Sequence, residues 1–162
     1  MLCQGDLVTE QHDYDALWRE AAPTLWRAVR AYSGGRQDVA DDAVAEAFAR
    51  VIAADTDIRD PVAYLYRVAF RIAARELKRS KTTRPMDIDE TTLANEPAAR
   101  EVWASLTSLT PDQRAVVYLF YRADLPVAEI ADRLGMSRPS VRMHLMRARR
   151  RLAPQLRETA DD

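Results

Sequence analysis

The sequence is poor in the residues that build most catalytic and metal centres. It has one cysteine, Cys3, and two histidines, so one chain can assemble neither a disulfide nor a cysteine-based metal cluster. That scarcity fits a reducing, cytoplasmic setting, and a lone His144 on a basic stretch reads as a surface residue rather than a ligand. With four glycines in 162 residues and no glycine-rich phosphate loop or Ser/His/Asp set, the chain is expected to be neither an enzyme nor a holder of a cofactor or metal. No apolar run approaches the roughly 20 residues of a membrane span. The start MLCQGDLVTEQHD lacks the basic and apolar segments of an export signal, so no membrane insertion is expected. Strict apolar–polar alternation is missing too, which removes half-buried strands from consideration.

What the sequence does contain is helical periodicity and sorted charge. The formal net charge is only −1, but that figure averages over separate blocks. Asp38, Asp41, Asp42, Glu46, Asp55, Asp57 and Asp60 form an acidic block, followed by a basic one of Arg67, Arg71, Arg75, Lys78, Arg79, Lys81 and Arg84. Acids return at Asp87, Asp89, Glu90 and Glu96, whereas Arg133 to Arg157 holds many arginines and no carboxylate. Such a run repels itself unless phosphates or an acidic surface neutralise it. Two basic blocks imply two contacts.

The expected fold is all-α: two small helical domains joined by a flexible linker, the C-terminal one a helix-turn-helix. After a tail at 1–13, residues 14–80 form the first domain. Its first helix, from about Tyr14 to Tyr32 with Leu17, Leu25 and Val29 inward, is stopped by Ser33-Gly34-Gly35. Asp38 is expected to cap a second helix that buries Ala40, Val44, Ala47, Phe48 and Val51 and displays Asp41, Asp42 and Glu46. Asp60-Pro61 opens a third helix, to about Ser80, with Leu65, Val68, Ile72 and Leu77 as its core stripe. Residues 81–97 have linker chemistry. In 98–157 a short helix carries Val102, Trp103 and Leu106. Thr110-Pro111-Asp112-Gln113 then reads as a capping box ahead of a helix burying Val116, Val117, Leu119 and Phe120. Beyond Pro126 a short helix stops at Gly135, and Ser137 caps another running to about Leu152. A short tail at 158–162 follows.

In a helix-turn-helix the second helix enters the major groove by its N-terminal residues. Ala128, Ile130, Ala131 and Leu134 can pack on Val141, Leu145, Ala148 and Leu152, leaving Arg138, Ser140, Arg142 and Met143 outside near the helix start to meet base edges. Arg147, Arg149, Arg150 and Arg151 are better placed for phosphates or a protein surface. On the third helix Arg67, Arg71, Arg75 and Lys78 recur at i, i+4, i+8 and i+11 as one cationic stripe. Tyr64, Tyr66 and Phe70 beside it offer stacking faces suited to unpaired DNA. A solvated basic face with the aromatics in the core would give the same pattern.

These residues resemble the extracytoplasmic-function sigma factors of bacterial RNA polymerase, over about residues 14–156. Asp38-Val39-Ala40-Asp41-Asp42-Ala43-Val44-Ala45-Glu46-Ala47-Phe48 resembles the polymerase-binding stretch, and Asp60-Pro61-Val62-Ala63-Tyr64-Leu65-Tyr66-Arg67-Val68-Ala69 the promoter-melting helix. Leu109-Thr110-Pro111-Asp112-Gln113-Arg114, Glu129-Ile130-Ala131 and Val141 through Leu152 resemble the second domain. The resemblance implies that Asp41, Asp42, Glu46 and Phe48 dock on core polymerase. It implies that Arg59, Tyr64, Arg67, Phe70, Arg71, Arg75 and Lys78 serve the minus-ten element. It gives Ser137, Arg138, Ser140, Arg142, Met143 and Arg147 to the minus-thirty-five element of promoter DNA. An anti-sigma protein is the further partner it implies, and the acidic linker resembles the segment that threads a polymerase channel. The chain departs from the family at Ala45, where Gln is common, and at Tyr64, Arg71 and Arg75, where Trp, Asn and Asp are common; promoter preference is expected to differ accordingly. The alternative is a regulator that binds duplex DNA by its helix-turn-helix without joining polymerase, which accounts for only half the chain.

Overall fold

The computed structural model describes residues 13–54, 58–80 and 105–158, and among them every regular element is helical. The acidic linker, Cys3, Val102 and Trp103 lie outside the described residues, as do both chain ends. Three long helices come first: α1 Tyr14–Tyr32, α2 Gln37–Ala54 and α3 Pro61–Arg79. The later elements are α4 Pro111–Val117, which continues as a π-helical segment Tyr118–Arg122, then α5 Val127–Leu134 and α6 Arg138–Glu158.

The helix boundaries follow from local chemistry. Asp13 caps α1 by accepting from the Ala16 amide at 3.0 Å, and Gly34 and Gly35, at φ 73° and 89°, turn the chain into α2. Asp60 accepts from the Ala63 amide at 3.0 Å, with Pro61 behind it at the first helical position. Thr110 and Gln113 close a reciprocal capping box, worth about 1 kcal/mol for the hydroxyl alone. Gly135 ends α5 at φ 66°, and Ser137 accepts from the Ser140 amide at 3.2 Å to start α6. Asp38 differs from expectation. It lies inside the first turn of α2, held by Arg36 at 2.6 Å, and this pairing keeps its carboxyl below the ordinary range.

Leu25, Ala28, Val29, Ala40, Ala43 and Ala47 are fully buried where α1, α2 and α3 meet. In the helix-turn-helix, Ile130 and Ala131 of α5 pack on Val141 and Leu145 of α6. Small side chains let these backbones come close, and the apolar stripes carry the burial. Ile72, Val117 and Phe120, expected inside, are only half-buried.

The two halves do not stand apart. One apolar core runs from Leu65 and Tyr66 of α3 into Val116, Leu119 and Ile130 of the second half. Arg114 of α4 reaches across to the end of α1, donating from Nε to the Ala31 carbonyl and from Nη2 to the Tyr32 carbonyl, each at 2.8 Å, and from Nη1 to the Leu109 carbonyl at 2.7 Å. The guanidinium thus caps the Tyr32 carbonyl at the C-terminus of α1 and adds to the Gly34 amide that already donates to the Ala31 carbonyl at 3.2 Å. Burial pulls its pKa below the ordinary guanidinium value, yet it stays charged, because arginine does not lose its proton in proteins.

Candidate protein-docking and nucleic-acid surfaces

On α2 the apolar stripe turns inward and leaves Asp41, Asp42, Ala45 and Glu46 exposed together. The Trp26 indole donates to Asp41 Oδ1 at 2.7 Å, and Arg50 donates to Glu46 Oε1 at 2.8 Å. Asp42 has no partner among the described residues, so one carboxylate of the face is free and two are held in orientation. Phe48 does not share this face. It is 4 % exposed and lies under Trp18, with ring centroids 4.5 Å apart, because its position falls on the inward stripe with Val44 and Val51. The apolar groups actually offered to a partner beside the acids are Trp18 and Ile52, about half exposed at 48 % and 53 %. The sequence signal was available for Ile52, which follows Val51 and so leaves the buried stripe.

The α3 cations Arg67, Arg71, Arg75 and Lys78 are all exposed, as is Arg59 in the preceding turn. The aromatics beside them are arranged otherwise than expected. Tyr64 and Phe70 are half-buried, and Tyr66 is fully buried. Phe70 meets Tyr32 edge-on at 5.2 Å and lies parallel to Tyr66 at 6.3 Å, so these rings join the helices as well as flanking the cations. Arg67, Phe70 and Arg71 border an open cleft of about 450 Å³, with Asp112 and the Leu134–Met136 turn on its other side.

At the start of α6, Ser137, Arg138, Arg142 and Arg147 are exposed, while Ser140 and Met143 are half-buried. The Ser137 and Ser140 hydroxyls are 2.8 Å apart, so both are engaged in shaping the helix start. Arg149 and Arg151 are committed within the fold. Arg149 donates to the Tyr121 hydroxyl at 2.7 Å and Arg151 to the Ser108 carbonyl at 2.6 Å. That leaves Arg138, Arg142, Arg147 and Arg150, none with a partner among the described residues, as the cations of α6 open to an external anion. His144 has Nδ1 enclosed without a hydrogen-bond partner, and no group of residues fit to hold a metal ion occurs among the described residues. None of the described helices is long and apolar enough to cross a membrane.

Comparison with known proteins gives the surfaces a context. Residues 99–152 match the family described as Sigma-70, region 4. No curated protein matches the chain. Among solved structures, the sigma factor RpoE from Bartonella quintana, determined in complex with the anti-sigma factor NepR, is similar with a TM-score of 0.66 and 17 % identity. That match covers 90 % of this chain and 97 % of the other, and shows a common fold. CnrH, determined in complex with the cytosolic domain of CnrY, is similar with a TM-score of 0.63 and 27 % identity, over 92 % of this chain and 89 % of the other. The matched segment contains the helix-turn-helix built by α5, Gly135 and α6, so this part of the chain is similar to Sigma-70 region 4, and nearly the whole helical chain shares its fold with the solved RpoE and CnrH.

Proposed function

We propose that the chain is an RNA polymerase sigma factor that docks on core polymerase through α2 and directs promoter-specific initiation through α3 and α6. The observation that carries this reading is the spatial sorting of charge. Asp41, Asp42 and Glu46 are solvent-facing on one helix, and the free arginines are solvent-facing on two others. Carboxylates repel DNA phosphates and suit a basic protein surface, whereas exposed arginines at a recognition-helix start suit bases and phosphates. The apolar neighbours Trp18 and Ile52 supply what a charged rim alone does not, since the centre of a protein interface is usually an aromatic or aliphatic anchor. A duplex-binding regulator would leave the acidic face and its apolar flank without a task.

Such a chain performs no catalysis itself, works in the cytoplasm where polymerase is, and is held in check by an anti-sigma protein covering the docking face. The similar RpoE chain in its complex with NepR supports the last point. The minus-ten role falls to Arg59, Arg67, Arg71, Arg75 and Lys78 with Tyr64 and Phe70, and the minus-thirty-five role to Ser137, Arg138, Ser140, Arg142, Met143 and Arg147. The test is reconstitution with core polymerase. The wild-type chain gives promoter-dependent transcripts, and Asp42→Arg with Glu46→Arg abolishes them while circular dichroism and unfolding stay unchanged. A folded double variant that still binds core polymerase normally would sink the docking assignment.

A further inference from the structure

Tyr66 is the fully buried aromatic of α3 that the helix's own core does not explain. Its neighbours Leu65 and Ala69 are buried in the same core, and its phenol meets the second half of the chain at Arg133. The Arg133 guanidinium of α5 lies 4.9 Å from the Tyr66 ring centroid, and its Nη1 donates to the phenol oxygen at 3.3 Å. Arg133 is itself steadied by Glu129 one turn earlier, at 3.9 Å. On the same helix Phe70 lies nearly parallel to Tyr66, at 14° between ring planes, and Arg67 and Arg71 are exposed with no ion-pair partner among the described residues.

A parallel aromatic pair flanked by free arginines is what an unpaired strand needs: stacking faces for bases and cations for its backbone. In this arrangement a planar cation occupies the place over Tyr66 where a base would stack. The occupant belongs to the helix-turn-helix, so the two halves cannot separate without uncovering Tyr66, and a strand cannot reach Tyr66 while they are joined. We propose that Tyr66 is a contact for unpaired DNA and that Arg133 masks it in the closed chain, making α5 a built-in competitor of the nucleic acid. This deepens the minus-ten role assigned to α3 and rests on that reading. The contact holding the mask is a hydrogen bond at the long end of the range together with a stacked cation, both replaceable by solvent or DNA. Arg114 guards the other end of the same seam.

The sign of one substitution separates masking from ordinary charge. Removing a cation from a DNA-binding protein ordinarily weakens its hold on a polyanion. If Arg133 is a mask, the full-length Arg133→Ala variant instead binds a fluorescein-labelled oligothymidine of about 12 nucleotides more tightly, by roughly three- to tenfold in an anisotropy titration. Arg133→Lys, which keeps the charge but not the planar stack, shifts in the same direction. Adding Tyr66→Leu to Arg133→Ala cancels the gain. Fluorophores on Glu20→Cys and Ala153→Cys in a Cys3→Ser background, both exposed positions, move apart in Arg133→Ala. Unchanged or weaker oligonucleotide binding by both Arg133 variants overturns the proposal, whatever the fluorophores show. Promoter-dependent initiation by wild type with core polymerase is scored separately. Initiation without tighter binding by the variants refutes the mask and leaves the sigma-factor reading standing, and loss of initiation refutes that reading itself.

Discussion

Replacing Arg114 by methionine tests whether one buried side chain joins the two halves. The guanidinium makes three hydrogen bonds of 2.7–2.8 Å to backbone carbonyls, two on α1 and one at Leu109. Hydrogen bonds to a charged donor contribute about 1.5–3 kcal/mol each, and three on one group do not add in full. Methionine fills much of the volume and relieves the cost of burying a charge. It leaves the Tyr32 carbonyl at the helix end without its donor, and leaves the carbonyl of fully buried Ala31 with the Gly34 amide at 3.2 Å alone. Breaking a buried polar network from one side costs about 3–5 kcal/mol, against a total of about 5–15 kcal/mol for a domain. At about 2 kcal/mol per molar of urea, the unfolding midpoint falls by roughly 2 M. Because the acceptors lie on both halves, the variant's unfolding transition is also expected to be broader than the wild type's or split. Arg114→Lys retains the charge but cannot aim three donors in a plane, so it recovers little of the loss. A midpoint within about 0.5 M of wild type, taken with that same urea slope, would show that the carbonyls find other partners and that the clamp is incidental.

Gly135→Ala meets no atom within 4 Å of the added Cβ, so its cost is backbone strain alone at φ 66°. About 1–2 kcal/mol, a fall of several degrees in Tm, follows, and an unchanged Tm would contradict it. Arg142→Ala reduces discrimination among minus-thirty-five sequences by about 1–3 kcal/mol per lost base contact, while Arg150→Ala weakens all of them evenly and lowers the salt slope; in vitro selection on promoter libraries distinguishes the two. Trp26→Phe frees Asp41 from its 2.7 Å hydrogen bond and lowers affinity for core polymerase by roughly three- to tenfold. Equal affinity by fluorescence titration would mean that the orientation of Asp41 is irrelevant.

The features that were legible in the sequence are those whose causes are local. Asp60-Pro61, the Thr110–Gln113 box, Gly135 and Ser137 each satisfy or redirect backbone groups within four residues of themselves, so composition and spacing are enough. The acidic face of α2 was legible for the same reason, because three carboxylates and an apolar stripe on one helix can sort in only one way. What escaped was decided between distant segments. Arg114 and Ala31 are 83 residues apart, and Tyr66 and Arg133 are 67 apart; no periodicity within either helix announces such a meeting. Phe48 was assigned both to the inward stripe and to the docking face, and geometry allows only the first. The π-helical turn at Tyr118–Arg122 shifts Phe120 and Tyr121 outward, where α-helical spacing had put Phe120 inside.

The arginines of α6 show why this charge has to be answered from outside the fold. Between Arg138 and Pro154 no arginine meets a carboxylate among the described residues. Arg149 finds a hydroxyl with the faces of Phe120 and Tyr121, and Arg151 finds a carbonyl. Those partners orient a guanidinium but do not cancel its charge, so the helix keeps nearly its full positive field. Arg133, stacked on Tyr66 and near Glu129, is the helix-turn-helix cation whose charge is met inside the molecule, and it lies on α5 rather than on the recognition helix. The fold therefore spends a carboxylate on the arginine that closes the seam and none on those at the recognition surface. On the minus-thirty-five role proposed for α6, a phosphate backbone would supply the missing anions, and raising salt is expected to weaken that contact first.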